Sequence, residues 1–139
     1  VRLVLPYPVS ANRYWQSFVP KGWTRAVVHP STEAKAYKKA IGLLAMAAGV
    51  RVPTSRPIAL SMTLCPKTKK DGTANATVLD LGNCLKVAED ALQGIVYEND
   101  DQVQDIRLRY GEPVPNGALI VEWEEWVAPM NGLFAEAAA

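Results

Sequence analysis

Two periods run through the chain. Apolar residues alternate with polar ones in some stretches and recur every three or four positions in others, which separates strands from helices. Arg2–Tyr7 alternates and is rich in β-formers. Pro6 and Pro8 then stop the ladder, so a first strand followed by a loop is expected. Trp23–His29 is a second, shorter strand candidate. Pro30 and Ser31 start a helix, with Ser31 as N-cap and Glu33 in the first turn, where the helix dipole favours an acid. Ala34–Ala48 consists of strong helix formers, with Tyr37, Ile41, Leu44 and Met46 apolar, Lys35, Lys38 and Lys39 polar, and Gly49 as the stop.

Ile58–Pro66 alternates Ile58, Leu60, Met62 and Leu64 against smaller or polar residues, the period of a half-buried strand. No apolar period crosses Lys67–Thr77, which is expected as loop. Cys84, Val87, Ala88, Ala91 and Leu92 return to helical spacing, predicting a helix from Leu81 or Asn83 to Gln93 with Gly94 as its stop. Val103–Tyr110 and Ala118–Trp126 are closing strands around a turn region, Gly111–Gly117. The sum is β-β-α-β-α-β-β: a single α+β domain over residues 1–126 with a small mixed sheet and two main helices, then a tail, 127–139, expected to fray or form a short helix.

With 139 residues and 49% apolar content, the chain can bury a core without disulfides or structural metal. Its formal charge of +1 supplies no global positive field, so any nucleic-acid contact must come from local clusters. Cys65, Cys84 and the lone His29 are too few for a zinc set, and Cys84 lies on an apolar stripe that suits a core thiol better than a nucleophile. Two free thiols without a signal-peptide pattern predict a reducing cytoplasm, and the longest apolar stretch, Ile41–Val50, is too short to span a bilayer.

The chemistry is concentrated in Val78–Val103. Asp80 precedes the second helix, Lys86 lies one and a half turns into it, and Glu98, Asn99, Asp100 and Asp101 follow it. Each has two readings. Asp80 is a helix cap or a catalytic acid; the later acids are a solvated loop or part of a site; Lys86 pairs with Asp90 four residues on or holds a phosphate. If the chain folds back to bring the acids together, their repulsion at about 4 Å is roughly 4 kcal/mol at an effective dielectric near 20. A hard divalent cation relieves it, and Mg²⁺ suits carboxylates, water and phosphate oxygens together.

Asp80-Leu81-Gly82-Asn83, Lys86, Asp90-Ala91-Leu92 and Asp100-Asp101-Gln102-Val103, in that order, resemble the RusA family of Holliday-junction resolvases. Pro8, Ser10, Asn12 and Tyr14 resemble that family's segment after the first strand. The resemblance implies a homodimer that binds four-way DNA junctions and makes paired nicks with Mg²⁺. It gives Asp80 and Asp100 the role of catalytic, metal-binding acids, with Asp101 beside them, and Lys86 that of the helix lysine. One departure matters: where the family has a second aspartate, this chain has Gly82. A basic residue that often precedes the first aspartate is Leu79 here.

Lys67, Lys69 and Lys70 in the loop, Asn12 and Arg13 after the first strand, and Lys86 are the candidate DNA contacts. Arg107 and Arg109 alternate on one strand face, while Glu122, Glu124 and Glu125 are expected to face away from DNA. The bland alternative for each cluster is ordinary surface charge, and Tyr14 and Trp15 suit a core or a dimer contact equally. Three functions stay open: a junction endonuclease, a junction-binding relative whose cutting is weakened by Gly82, and a non-enzymatic interaction module in which the acids only cap a helix. The apolar first helix with Trp123 and Trp126 adds to the expectation of a dimer.

Overall fold

The computed structural model describes residues 1–73, 75 and 77–129. Strand β1 (Arg2–Leu5) is followed by a one-turn helix α1 (Ala11–Tyr14), a hairpin of β2 (Trp15–Phe18) and β3 (Val27–Pro30), the long helix α2 (Thr32–Ala47), β4 (Ile58–Cys65), helix α3 (Leu81–Leu92), a 3₁₀ turn (Asp100–Gln102), β5 (Val103–Tyr110) and β6 (Ala118–Glu125). The main sheet has the order β1-β6-β4-β5, with β5 parallel to β4 and the other pairs antiparallel. The expected α+β domain with a small mixed sheet and two main helices is what the chain forms.

The alternation in β4 is read out directly. Ile58, Leu60, Met62 and Leu64 are buried on the face covered by α2 and α3, joined by Leu3 and Leu5 from β1 and Leu119 and Val121 from β6. The helices cover only that face. On the opposite face, Arg2, Ala59, Ser61, Arg107, Arg109, Glu122 and Glu124 line an open groove.

Helix α2 begins as its cap signal predicts: the Ala34 N–H donates to the Ser31 hydroxyl (3.1 Å), which itself donates to the Arg13 carbonyl (2.6 Å). Its buried stripe is Ala34, Tyr37, Ile41 and Ala45. Leu44 and Met46, expected on that stripe, are exposed, Met46 by 64%. The small Ala45 takes the inward position because the helix packs closely there.

The second strand is displaced from its expected place. Trp23 is exposed, β3 starts at Val27, and its partner β2 follows directly after α1 in a stretch expected as loop. Four-residue elements are too short for periodicity to register. The last strand ends at Glu125 rather than Trp126. Of the tail, 127–129 lacks regular structure and 130–139 lies outside the described residues.

The β5–β6 connection is fixed by Pro115 and Asn116, the latter at φ 64°, as a type II turn requires at its third position. Gly117 follows at φ 68°, where an added Cβ would lie 2.5 Å from the Tyr7 ring and 3.0 Å from the Lys67 side chain. Only glycine suits that contact. Gly117→Ala is expected to lower unfolding free energy by about 1–3 kcal/mol, measured by urea denaturation; an unchanged midpoint would show that Tyr7 yields without cost.

Candidate active site

Asp80 caps α3: its Oδ1 accepts from the Asn83 N–H at 2.7 Å. The bland reading of this residue is therefore real, yet it uses one oxygen and leaves the exposed carboxylate's other oxygen without a protein donor among the described residues. The cap and a further role coexist.

The backbone just before Asp80 is held from two sides. The Leu79 N–H donates to the Tyr7 hydroxyl, and the Tyr110 hydroxyl donates to the Leu79 carbonyl, both at 2.9 Å. Within the first turn of α3, the Asn83 Oδ1 accepts from the Ala11 N–H at 2.6 Å. Three elements distant in sequence thus meet at the start of α3. Sequence reasoning missed Tyr7 and Tyr110 because nothing local marks a tyrosine whose partner lies 72 or 31 residues away.

Behind the site the apolar face of α3 is fully buried through Cys84, Val87, Ala88, Ala91 and Leu92. Burial, with Asp80's charge adding, pushes the Cys84 thiol up to about 11. Such a thiol is protonated and inert, which removes the Cys–His alternative. Tyr14 is buried and donates to Asp90 Oδ2 at 2.5 Å; desolvation first, then that bond and the Asp90 charge, hold the phenol well above its ordinary range. Asp90 is thereby engaged with α1. Among the described residues it forms no ion pair with Lys86, whose side chain is exposed.

Two grooves flank Asp80. One is lined by Tyr7, Ser10, Arg13, Lys67 and Leu79; the other runs along α3 and is lined by Asn12, Asp80, Gly82, Asn83, Lys86 and Glu89. Asn12, Arg13, Lys67 and Lys86 are therefore gathered around Asp80. Arg13 pairs with Glu33 at 2.8 Å, an exposed contact worth little that a phosphate can displace, and the Lys67 ammonium sits 5.0 Å above the Tyr7 ring. Lys69 and Lys70 lie further out on an exposed loop. Arg107 and Arg109 are on the other face of the sheet with Ser61 and Thr63.

Asp100 is not with Asp80. The 3₁₀ turn that carries it and Asp101 is tied to the start of the sheet: Gln102 donates to the Thr54 and Arg56 carbonyls at 2.8 and 3.0 Å, and the Asn99 N–H donates to the Gln102 amide oxygen at 2.7 Å. Tyr110, which holds Leu79, ends the strand that this turn begins. β5 has eight residues, roughly 23 Å at strand rise, so Asp80 and Asp100 stand near its opposite ends. The 12-residue α3, about 18 Å long, runs back across the same distance. On this topology the two acids do not converge within one chain, and among the described residues no group of three or more His, Cys, Asp or Glu side chains is placed to hold a metal.

The Asp100 charge acts instead on Glu89. Partial burial, then the Asp100 charge, raises the Glu89 carboxyl above its ordinary value. Nothing in the local sequence singles Glu89 out. Among the described residues no helix is long and apolar enough to cross a membrane.

Removing both hydroxyls in Tyr7→Phe/Tyr110→Phe is expected to cost about 2 kcal/mol of stability and to lower Asp80-dependent activity more than either single change. Unfolding curves beside activity assays check this; full activity in the double variant would show that Leu79 needs neither anchor.

A family model described as Endodeoxyribonuclease RusA matches residues 6–122. No curated protein matches the chain.

Proposed function

The chain belongs to the RusA family of Holliday-junction endodeoxyribonucleases, and from that premise we propose that it cuts four-way DNA junctions at acidic sites shared between the two subunits of a homodimer. Family membership replaces the reading as a non-enzymatic interaction module. The observation that carries the proposal is the separation of Asp80 from Asp100 by the length of β5 and α3. Two carboxylates on one Mg²⁺ lie only about 4 Å apart, since each metal–oxygen bond is about 2.1 Å. A site that uses both acids therefore draws them from two chains.

The sheet edge supports such a pairing. β5 is the outermost strand beside β4, and Ile106, Leu108 and Tyr110 point to the helix side in register with buried Leu60, Met62 and Leu64. Yet Ile106 is 38% and Tyr110 47% exposed, and Leu85 of α3 is half-buried. A second copy related by a two-fold axis, with its α3 antiparallel to the first, covers this strip and brings the start of one α3 to the end of the other. Two equivalent sites then face two strands of a junction.

RusA-family nucleases are metal-dependent. The donors fit Mg²⁺: Asp80, Asp100 and the neighbouring Asp101 offer hard carboxylate oxygens, and the nearest thiol, Cys84, is buried in the core. When bound, the ion supplies activated water and Lewis acidity for phosphodiester hydrolysis. The chain's own part is positioning. Asp80 keeps one oxygen on the Asn83 N–H and presents the other; Lys86, which forms no ion pair among the described residues, holds the scissile phosphate; Arg13 and Lys67, with Asn12, Lys69 and Lys70 further out, bind flanking backbone. A near-neutral protein must do this through local charge, so binding weakens steeply with salt.

Asp80→Asn and Asp100→Asn are each expected to reduce Mg²⁺-dependent junction cleavage by about two orders of magnitude or more while leaving junction binding intact. Mixing the two variants creates heterodimers with one intact site, so nicking should return. Absence of nicking in a mixture whose heterodimers are verified by mass would overturn the shared site. A second reading, weakened cutting, is favoured by Gly82, whose missing side chain leaves Asp80 without a neighbouring carboxylate. It predicts junction binding by the unchanged chain with a large gain of cleavage in Gly82→Asp; rapid cleavage by the unchanged chain would exclude it.

A further inference from the structure

Resting on the shared-site reading, we propose that Glu89 supplies the carboxylate this chain lacks at position 82, completing a metal shell of Glu89 and Asp100 from one subunit and Asp80 from the other. Within a single chain this substitution is impossible. Gly82 and Glu89 lie on one face of α3, two turns and about 10 Å apart, so Glu89 cannot stand beside its own Asp80. Across an antiparallel pair of α3 helices the relation changes. A two-fold axis passing between Leu85 and Lys86 sets Glu89 of each subunit opposite Gly82 of the other, because those positions are symmetric about that point.

The surroundings of both residues suit this arrangement. At Gly82 an added Cβ meets nothing within 4 Å except Asp80 Oδ1 at 3.5 Å, so the space beside Asp80 is open to a side chain arriving from outside. At Glu89 the backbone is fixed, its carbonyl accepting from the Tyr97 hydroxyl at 2.6 Å and from the Gln93 N–H at 3.2 Å. Its carboxylate has no hydrogen bond or ion pair among the described residues, unlike that of Asp90, which Tyr14 engages. Glu89 lines the groove that also holds Asp80, Gly82 and Lys86. Carboxylate oxygens that no protein donor engages suit a hard cation. Glutamate is one methylene longer than the aspartate it replaces, which lets it reach across a helix–helix interface.

The test uses Mn²⁺ as a Mg²⁺ surrogate, titrated into DNA-free protein and read by calorimetry and by the electron paramagnetic resonance of unbound ion. Glu89→Gln is expected to weaken Mn²⁺ binding at least tenfold while leaving sedimentation mass and metal-free junction binding unchanged. Adding Gly82→Asp to Glu89→Gln should restore Mn²⁺ affinity to within about threefold of the original chain. Unaltered Mn²⁺ binding in Glu89→Gln, with loss in Asp80→Asn and Asp100→Asn, overturns the role of Glu89 and leaves the shared site standing. A loss in Glu89→Gln that Gly82→Asp does not repair also overturns the substitution. Unaltered binding in Asp80→Asn or Asp100→Asn overturns the shared site itself.

Discussion

The antiparallel passage of α3 across β4 and β5 is the constraint on which the rest depends. Five residues of α3 are fully buried against the sheet, and a helix committed to that contact cannot shift along its axis without exposing them. Its start is then fixed beside the end of β5, where Tyr110 reaches Leu79, and its end beside the 3₁₀ turn that opens β5. The same packing that makes the domain stable therefore holds Asp80 and Asp100 apart. On the proposed reading a catalytic arrangement of these acids belongs to an assembly, and the packing that stabilises the single chain is what would make the assembly necessary.

The sheet's layering decides which surfaces are left for that assembly. With four strands and helices on one side only, α2 and α3 cannot reach the outer edge of the covered face, and β5 pays with Ile106 and Tyr110 in water. An eight-residue edge strand with an uncovered apolar row is a liability unless something covers it. In the proposed dimer a second copy would remove the liability and complete the acidic site in one step. The exposed Leu43 and Met46 of α2 are a separate strip, with nothing beside them that bears on the acids.

The long elements were legible because each carries its period over enough residues: β4, β5 and α3 stand within a residue or two of where their patterns place them, and the Ser31 and Asp80 caps form as their positions predict. Short elements were not. The β2–β3 hairpin and α1 are held by tertiary contacts such as Ser31 to Arg13 and Tyr14 to Asp90, which leave no local trace. The candidate site was half legible. Residue type and order pointed to Asp80, Lys86 and Asp100, but whether two acids flanking a helix converge is decided by where the strand after it runs, and periodicity does not report direction. Glu89 was hidden for a related reason: a glutamate on the polar face of a helix has the same local signature whether it faces water or another acid.

Charge distribution, rather than net charge, orients the molecule towards its substrate. On the open face of the sheet, Arg2, Arg107 and Arg109 lie among Asp105, Glu122 and Glu124, three of each sign in one groove, so their fields largely cancel beyond a Debye length. Around Asp80 the count is also even, Arg13, Lys67 and Lys86 against Glu33, Asp80 and Glu89, but there the acids are ones that a bound divalent cation would neutralise. Among the described residues Lys67 stands over an aromatic ring and Lys86 forms no ion pair, while Arg13 is held by a single exposed glutamate. A polyanion meets cancelling charge on the open face and, once a cation neutralises the acids, net positive charge at the grooves beside Asp80. A chain of charge +1 can in this way present a directional DNA surface, and the direction coincides with the edge at which a second α3 would join.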